Sequence, residues 1–175
     1  MDGYLLDANH LFPLLRANDA NRTAILKRMA TVPSDAPVYV ATATLAELEL
    51  GCFWPHERPQ AQTEIRDTIR TNKLTVLDFT NHTASVYGEL KAALMRKYNR
   101  KGLNRASKVP ERWTSPDKGA TLGVDEFDLL VVCHALERRL VLVTLDPMLR
   151  ICQGIGEAAN GLGFDNWVPA SNVKT

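Results

Sequence analysis

Residues 124–146, VDEFDLLVVCHALERRLVLVTLD, place two kinds of apolar segment end to end. Three acids in four positions, Asp125, Glu126 and Asp128, open a run that stays apolar for most of three helical turns. Asp125 is a good N-cap, Asp128 stands where a capping-box acid stands, and carboxylates favour the positive end of a helix dipole. The spacing predicts a helix over about 125–138. The following stretch, LVLVTLD (140–146), predicts a buried strand ending at Asp146.

Outward from this pair the alternation repeats. GYLLDA (3–8) predicts a short buried strand ending at Asp7, and NHLFPLLRA (9–17) a helix entered directly from it. TAILKRMATV (23–32) has helical spacing, VYVA (38–41) is a strand, and TATLAELELG (42–51) is a helix with possible threonine caps that stops at Gly51. Residues 59–72 are polar and helical, 74–79 form a strand, and 83–98 a helix with a stripe through Val86, Leu90, Ala93 and Leu94. Beyond Asp146 come further helical sequence and a last strand at NWV (166–168). Strands alternating with helices imply a mainly parallel sheet covered on both faces. The fold class is α/β, a single-domain three-layer sandwich over residues 1–175, with no linker or internal repeat.

Bulk composition fits an ordinary globular protein, with 45% hydrophobic and 23% charged residues in 175. No apolar run is long enough to span a bilayer, and the start lacks a basic n-region, so no membrane contact or secretory signal is expected. Cys52, Cys133 and Cys152 are odd in number and lack CxxC spacing, which fits structural thiols in a reduced cytoplasm. The formal net charge is +1, yet residues 91–120 carry nine Lys/Arg against Glu111 and Asp117. That local balance of +7 leaves −6 on the rest. The pattern breaks from 99 to 123, where Gly, Pro, Ser and basic residues predict a loop or loosely ordered basic insertion.

In a parallel α/β sheet, function collects at the carboxyl ends of strands and at the helix starts that follow. Asp7 and Asp146 end strands, Glu47 lies early in the helix after VYVA, and Asp128 opens the helix before LVLVTLD. Together they would raise each other's pKa values, a cost that a divalent cation removes. Oxygen ligands without a His/Cys set suit Mg²⁺ or Mn²⁺. Each acid alone also reads as a turn former or a solvated helix residue; their joint placement is what argues for a site.

These stretches resemble the PIN-domain ribonucleases, especially the VapC-like toxins of bacterial type II toxin–antitoxin pairs. YLLDANHL is similar to that family's opening strand, with Asp7 in the first acidic position and Asn9 two residues later. TATLAELELG matches the second signature through Thr44 and Glu47. DLLVVCHAL places Asp128 in the third acidic position, and LVLVTLD supplies Thr144 and Asp146. The likeness covers most of the chain and is interrupted by the basic stretch. Ala8 stands where a hydroxyl residue is common, Leu145 replaces a frequent basic residue, and Asp125 is an additional acid.

The resemblance implies a metal-dependent endoribonuclease leaving a 5′-phosphate and a 3′-hydroxyl. Asp7, Asp128 and Asp146 would hold the metal; Glu47 would be a ligand or orient the attacking water; Asn9, Thr44, Thr144 and Asp125 would support them. It also implies a small antitoxin, bound by an apolar groove near the acidic edge, and a homodimer. Arg100, Lys101, Arg105 and Lys108, with Lys97, Arg112, Tyr98 and Trp113 among them, could contact RNA phosphates and bases; a solvated loop is the alternative.

Competing readings are weaker. GIGEAANG (154–161) offers GxGxxA but does not directly follow a strand, so it reads as a Gly-rich turn. Cys133 and His134 are adjacent on a helix and point apart, which favours core packing over a nucleophile pair. His10, His56 and His82 lack ligand spacing, and Trp54, Trp113 and Trp167 read as packing residues. Two other functions stay open: a catalytically silent RNA- or protein-binding module, and a phosphate-handling enzyme such as a phosphatase.

Overall fold

Consecutive strand residues face opposite sides of a sheet, and here both sides are apolar. In the computed structural model, which describes residues 2–54, 58–98, 107–114, 120–146 and 148–168, the strands are β1 (Tyr4–Leu6), β2 (Val38–Ala41), β3 (Thr75–Leu77), β4 (Val141–Val143) and β5 (Gly163–Asp165). They form one parallel sheet in the order β3-β2-β1-β4-β5. Leu5, Ala41, Leu77 and Leu142 enter one core, and Leu6, Val40 and Val143 enter another.

Helices close both cores. α1 (Ala8–Leu15), α2 (Arg22–Thr31) and α4 (Pro59–Thr71) bring Leu11, Leu14, Ile25 and Ile65 to the second core. α3 (Thr42–Phe53) adds Leu48 and Cys52 there, while its Ala43 joins the first core. α5 (Asn81–Tyr98), α6 (Glu126–Glu137) and α7 (Leu149–Ile155) cover the first with Leu90, Leu94, Leu129, Val132 and Ile151. The molecule is therefore a three-layer α/β sandwich, as expected. Gly154 lets α7 approach α5, because a Cβ there would land inside the Leu94 side chain. Its role in GIGEAANG is thus close packing.

Three boundaries differ from expectation. α3 continues through Gly51 to Phe53, since a glycine in open space merely weakens a helix. The last strand is Gly163–Asp165, not 166–168: Trp167 instead packs against Tyr4 with ring centroids 5.4 Å apart. Parts of the basic stretch are also well packed. Around a 3-10 turn at Pro110–Arg112, Trp113 is buried and donates from Nε1 to the Ser107 carbonyl, and Thr114 bridges Thr121.

The strand order positions the site. β1 is followed by β2 on one side, whereas β4 lies on its other side and leads outward to β5. The chain thus leaves β1 and β4 in opposite directions, opening a crevice beyond their carboxyl ends.

Candidate active site

Leu6 pairs with Val143 in register, so the next residues of the two strands, Asp7 and Thr144, meet at the crevice. Asp7 caps α1: its Oδ1 accepts the Ala8 N–H at 2.7 Å. Its Oδ2 accepts the Thr144 hydroxyl at 2.7 Å and the Asn9 amide at 2.7 Å. The Thr144 oxygen also receives the Asn9 amide at 3.0 Å and the Asp146 N–H at 3.0 Å. Asp146 holds the next turn by accepting the Met148 N–H at 2.8 Å, where Met148 adopts a left-handed φ of 48°.

At the start of α6, Asp125 and Asp128 form a reciprocal capping box: Asp125 accepts the Asp128 N–H at 2.8 Å, and Asp128 accepts the Asp125 N–H at 3.1 Å. Capping occupies one Asp128 oxygen, Oδ2. Glu47 projects from α3 beside Ala8 and Asn9. Thr44, one turn earlier, does not cap α3; it is buried, and its hydroxyl lacks a partner among the described residues.

The acids feel one another. Burial raises the Asp7 carboxyl above its usual range, and Asp146 and Asp125 push the same way against the lowering effect of its hydrogen bonds. Burial also raises Glu47, helped by Asp7 and Asp125. Asp128 is pushed up to about 7, chiefly by burial and also by Asp125, Asp7 and Asp146. None of the ion pairs among the described residues involves these acids.

Such a donor set fits a hard divalent cation, which would relieve the repulsion. Among the described residues no three acidic, His or Cys side chains form a closed ligand group. The arrangement is instead an open crevice, with Asp128 and Asp146 lining a cavity of about 210 Å³. An ion that keeps several of its waters, as Mg²⁺ does, suits that openness. Asp7, Glu47, Asp128 and Asp146 are the side chains that would hold it.

Comparison with known proteins agrees with this geometry. A family model described as PIN domain matches residues 4–152, most of the chain. The chain belongs to the PIN-domain family. No curated protein matches it. Among solved structures, a chain of VapBC2 from Rickettsia felis bound to a promoter DNA fragment superposes with a TM-score of 0.64 at 20% identity, over 94% of this chain and 98% of that one. DNA-bound VapBC from Salmonella typhimurium gives 0.63 at 22%, over 95% and 99%. VapBC-1 from nontypeable Haemophilus influenzae gives 0.62 at 21%, over 94% and 97%.

Other residues of this PIN domain lie apart from the acids or outside the described segments. Arg100, Lys101 and Arg105 are outside the described residues; Lys108 is described and exposed. Lys97 donates to the Gln153 carbonyl, and Lys91 pairs with Glu126 at 2.8 Å, so both serve helix packing. Tyr98 and Trp113 are buried, which removes them as base-stacking surfaces. Trp54 corrects the opposite expectation, being 73% exposed. With Phe12, Leu15, Leu48 and Ile65 it lines an apolar groove between α1, α3 and α4, and a neighbouring hollow reaches Glu47. Cys133 and His134 are fully buried, and burial drives the Cys133 thiol up to about 12, far from a nucleophile. Two features escaped the sequence reading: Arg150, a cation lining the acidic cavity, and His10, bonded to Asn9. The motif DANH did place the histidine beside a site residue.

Proposed function

We propose that this PIN domain is a metal-dependent endoribonuclease, acting as the toxin of a toxin–antitoxin pair. The observation that carries the reading is the crevice at the β1/β4 switch point, where burial, with neighbouring acids adding to it, raises the carboxyls of Asp7, Glu47 and Asp128, and none of them forms an ion pair among the described residues. A Mg²⁺ or Mn²⁺ ion held there supplies Lewis-acid polarisation of a phosphodiester. Asp7, braced by Thr144 and Asn9, Asp128 and Asp146 hold that charge in place. Glu47 orients the attacking water, and Arg150 offers a cation to a substrate phosphate. Cleavage leaves a 5′-phosphate and a 3′-hydroxyl.

The similar structures include VapBC assemblies, one of them a member of a family of toxin–antitoxin systems. They support a small antitoxin partner, for which the apolar groove beside Glu47 is the natural seat. Homodimerisation and residence in a reduced cytoplasm belong to the same reading, the latter supported by the free thiols of Cys52, Cys133 and Cys152. Incubating the protein with RNA or a small phosphomonoester, in Mg²⁺, Mn²⁺ or EDTA, tests the function. Metal-dependent loss of RNA alone is the expected result. RNA bound but never consumed would mean a silent binding module, and hydrolysis of the monoester would mean a phosphatase.

A further inference from the structure

His10 stands next to Asn9 in α1 and has no exposed surface. Both ring nitrogens are engaged. Nδ1 lies 2.7 Å from Asn9 Oδ1, and Nε2 accepts the Trp167 backbone N–H at 3.1 Å. Asn166 Oδ1 lies 3.2 Å from Nε2 and accepts the Val168 N–H at 2.8 Å. A backbone N–H can only donate, so Nε2 is bare and the single proton of the neutral ring sits on Nδ1. The other tautomer would bond Nε2–H to Asn166 Oδ1, which already accepts the Val168 N–H, but would set a bare Nδ1 against the Asn9 oxygen and an N–H against the Trp167 N–H.

That proton makes the shorter of two bonds that fix how Asn9 is turned. Its oxygen receives His10 Nδ1–H and the Leu145 N–H at 3.1 Å, which leaves the NH₂ group facing Asp7 and Thr144. A flipped amide would direct its oxygen at the Asp7 carboxylate. We propose that His10 is a positioning residue: donating from Nδ1, it holds the Asn9 amide, and through it the Asp7 carboxylate, and ties both to the segment following β5. Its consequence for metal binding and cleavage rests on the nuclease reading; the orientation itself does not.

Two substitutions separate positioning from mere anchoring. His10→Asn brings an amide donor near the place of Nδ1, whereas His10→Gln brings its amide near the place of Nε2, opposite Trp167. On the metal-free full-length protein, ¹⁵N–¹H correlation of the histidine ring should find Nδ1 protonated, a measurement that needs no variant. Hydrogen exchange of the Asn9 NH₂ protons should stay slow in His10→Asn and quicken at least about tenfold in His10→Gln. Mn²⁺ affinity by calorimetry should hold within about threefold in His10→Asn and weaken by about tenfold in His10→Gln, the lower end for an outer-shell partner. An Nε2-protonated ring would overturn the proposal. So would unchanged Asn9 exchange in both variants, or losses in His10→Asn that His10→Gln escapes, since the histidine would then only anchor Trp167. If the expected tautomer and exchange pattern hold while wild-type protein neither binds Mn²⁺ nor cuts RNA, the nuclease reading falls and the positioning role stands.

Discussion

Asp128 combines two tasks that sequence reading could only set side by side: it completes a capping box and faces Asp7 and Asp146. Its carboxyl is raised to about 7, against about 3.9 in an unfolded chain. Between those values the folded protein keeps a proton that the unfolded chain has released, so metal-free stability falls as pH rises through that window. Asp128→Asn keeps a capping oxygen and removes the charge. Urea titrations should find it stabilised by about 1–2 kcal/mol at pH 8 and little changed near pH 4, a figure reduced because the side chain is partly exposed. RNA cleavage should drop at least about a hundredfold in Asp128→Asn and in Asp7→Asn. Equal stability effects at both pH values would argue that burial and its acidic neighbours do not raise the Asp128 carboxyl. The positions of Asp7, Glu47, Asp128 and Asp146 were legible because strand ends and helix starts fix where they fall, whereas Asn9 and Thr144 entered through the family resemblance. The partners of His10 were not, because Trp167 is 157 positions away in the chain.

Elements were legible wherever periodicity matched a long apolar face, as in α5 and α6. The last strand was not. Asn166–Val168 has strand-like composition, yet the Trp167 ring packs on Tyr4 and its N–H goes to a histidine ring, while Gly163–Asp165 pairs with β4. Side-chain packing outweighed β-propensity there. The contact of α7 with α5 offers a sharp test. Gly154→Ala must displace Leu94 or part the helices, and overpacking of this kind costs about 1–3 kcal/mol. Thermal unfolding should show the loss; Gly51→Ala, with open space around it, should raise stability by about 0.5–1 kcal/mol instead.

Across the molecule, the acidic crevice and the apolar groove share α1 and α3, so the proposed partner and substrate surfaces adjoin. Trp54→Ala should leave RNA cleavage within about twofold while weakening capture of a cognate antitoxin by about 2 kcal/mol or more, as expected of an exposed aromatic anchor. Equal antitoxin affinity, read by calorimetry, would move the partner elsewhere. The basic stretch is tested by replacing Arg100, Lys101, Arg105 and Lys108 with Gln in the Asp7→Asn background. If all four neutralise phosphates, the slope of log affinity against log salt should fall by roughly three, at about 0.7 per contact on a single strand. An unchanged slope would identify a solvated loop.

The bond from Thr144 to Asp7 joins residues 137 positions apart, and this has a consequence for the order in which a cell makes the protein. Asp7 is translated early, but its partner strand and Asp146 follow only after roughly 7–30 s at 5–20 residues per second. Until β4 emerges, β1, the central strand, lacks its second neighbour and the acids have no crevice in which to gather. On the proposed function, the nascent chain would therefore remain harmless through most of its synthesis, and a partner translated beforehand would meet the finished site at the moment it forms. Nascent chains arrested at residue 138 should fail to cleave RNA in Mg²⁺, whereas released full-length chains should cleave it. Activity in the arrested chains would show that the cleft does not need β4.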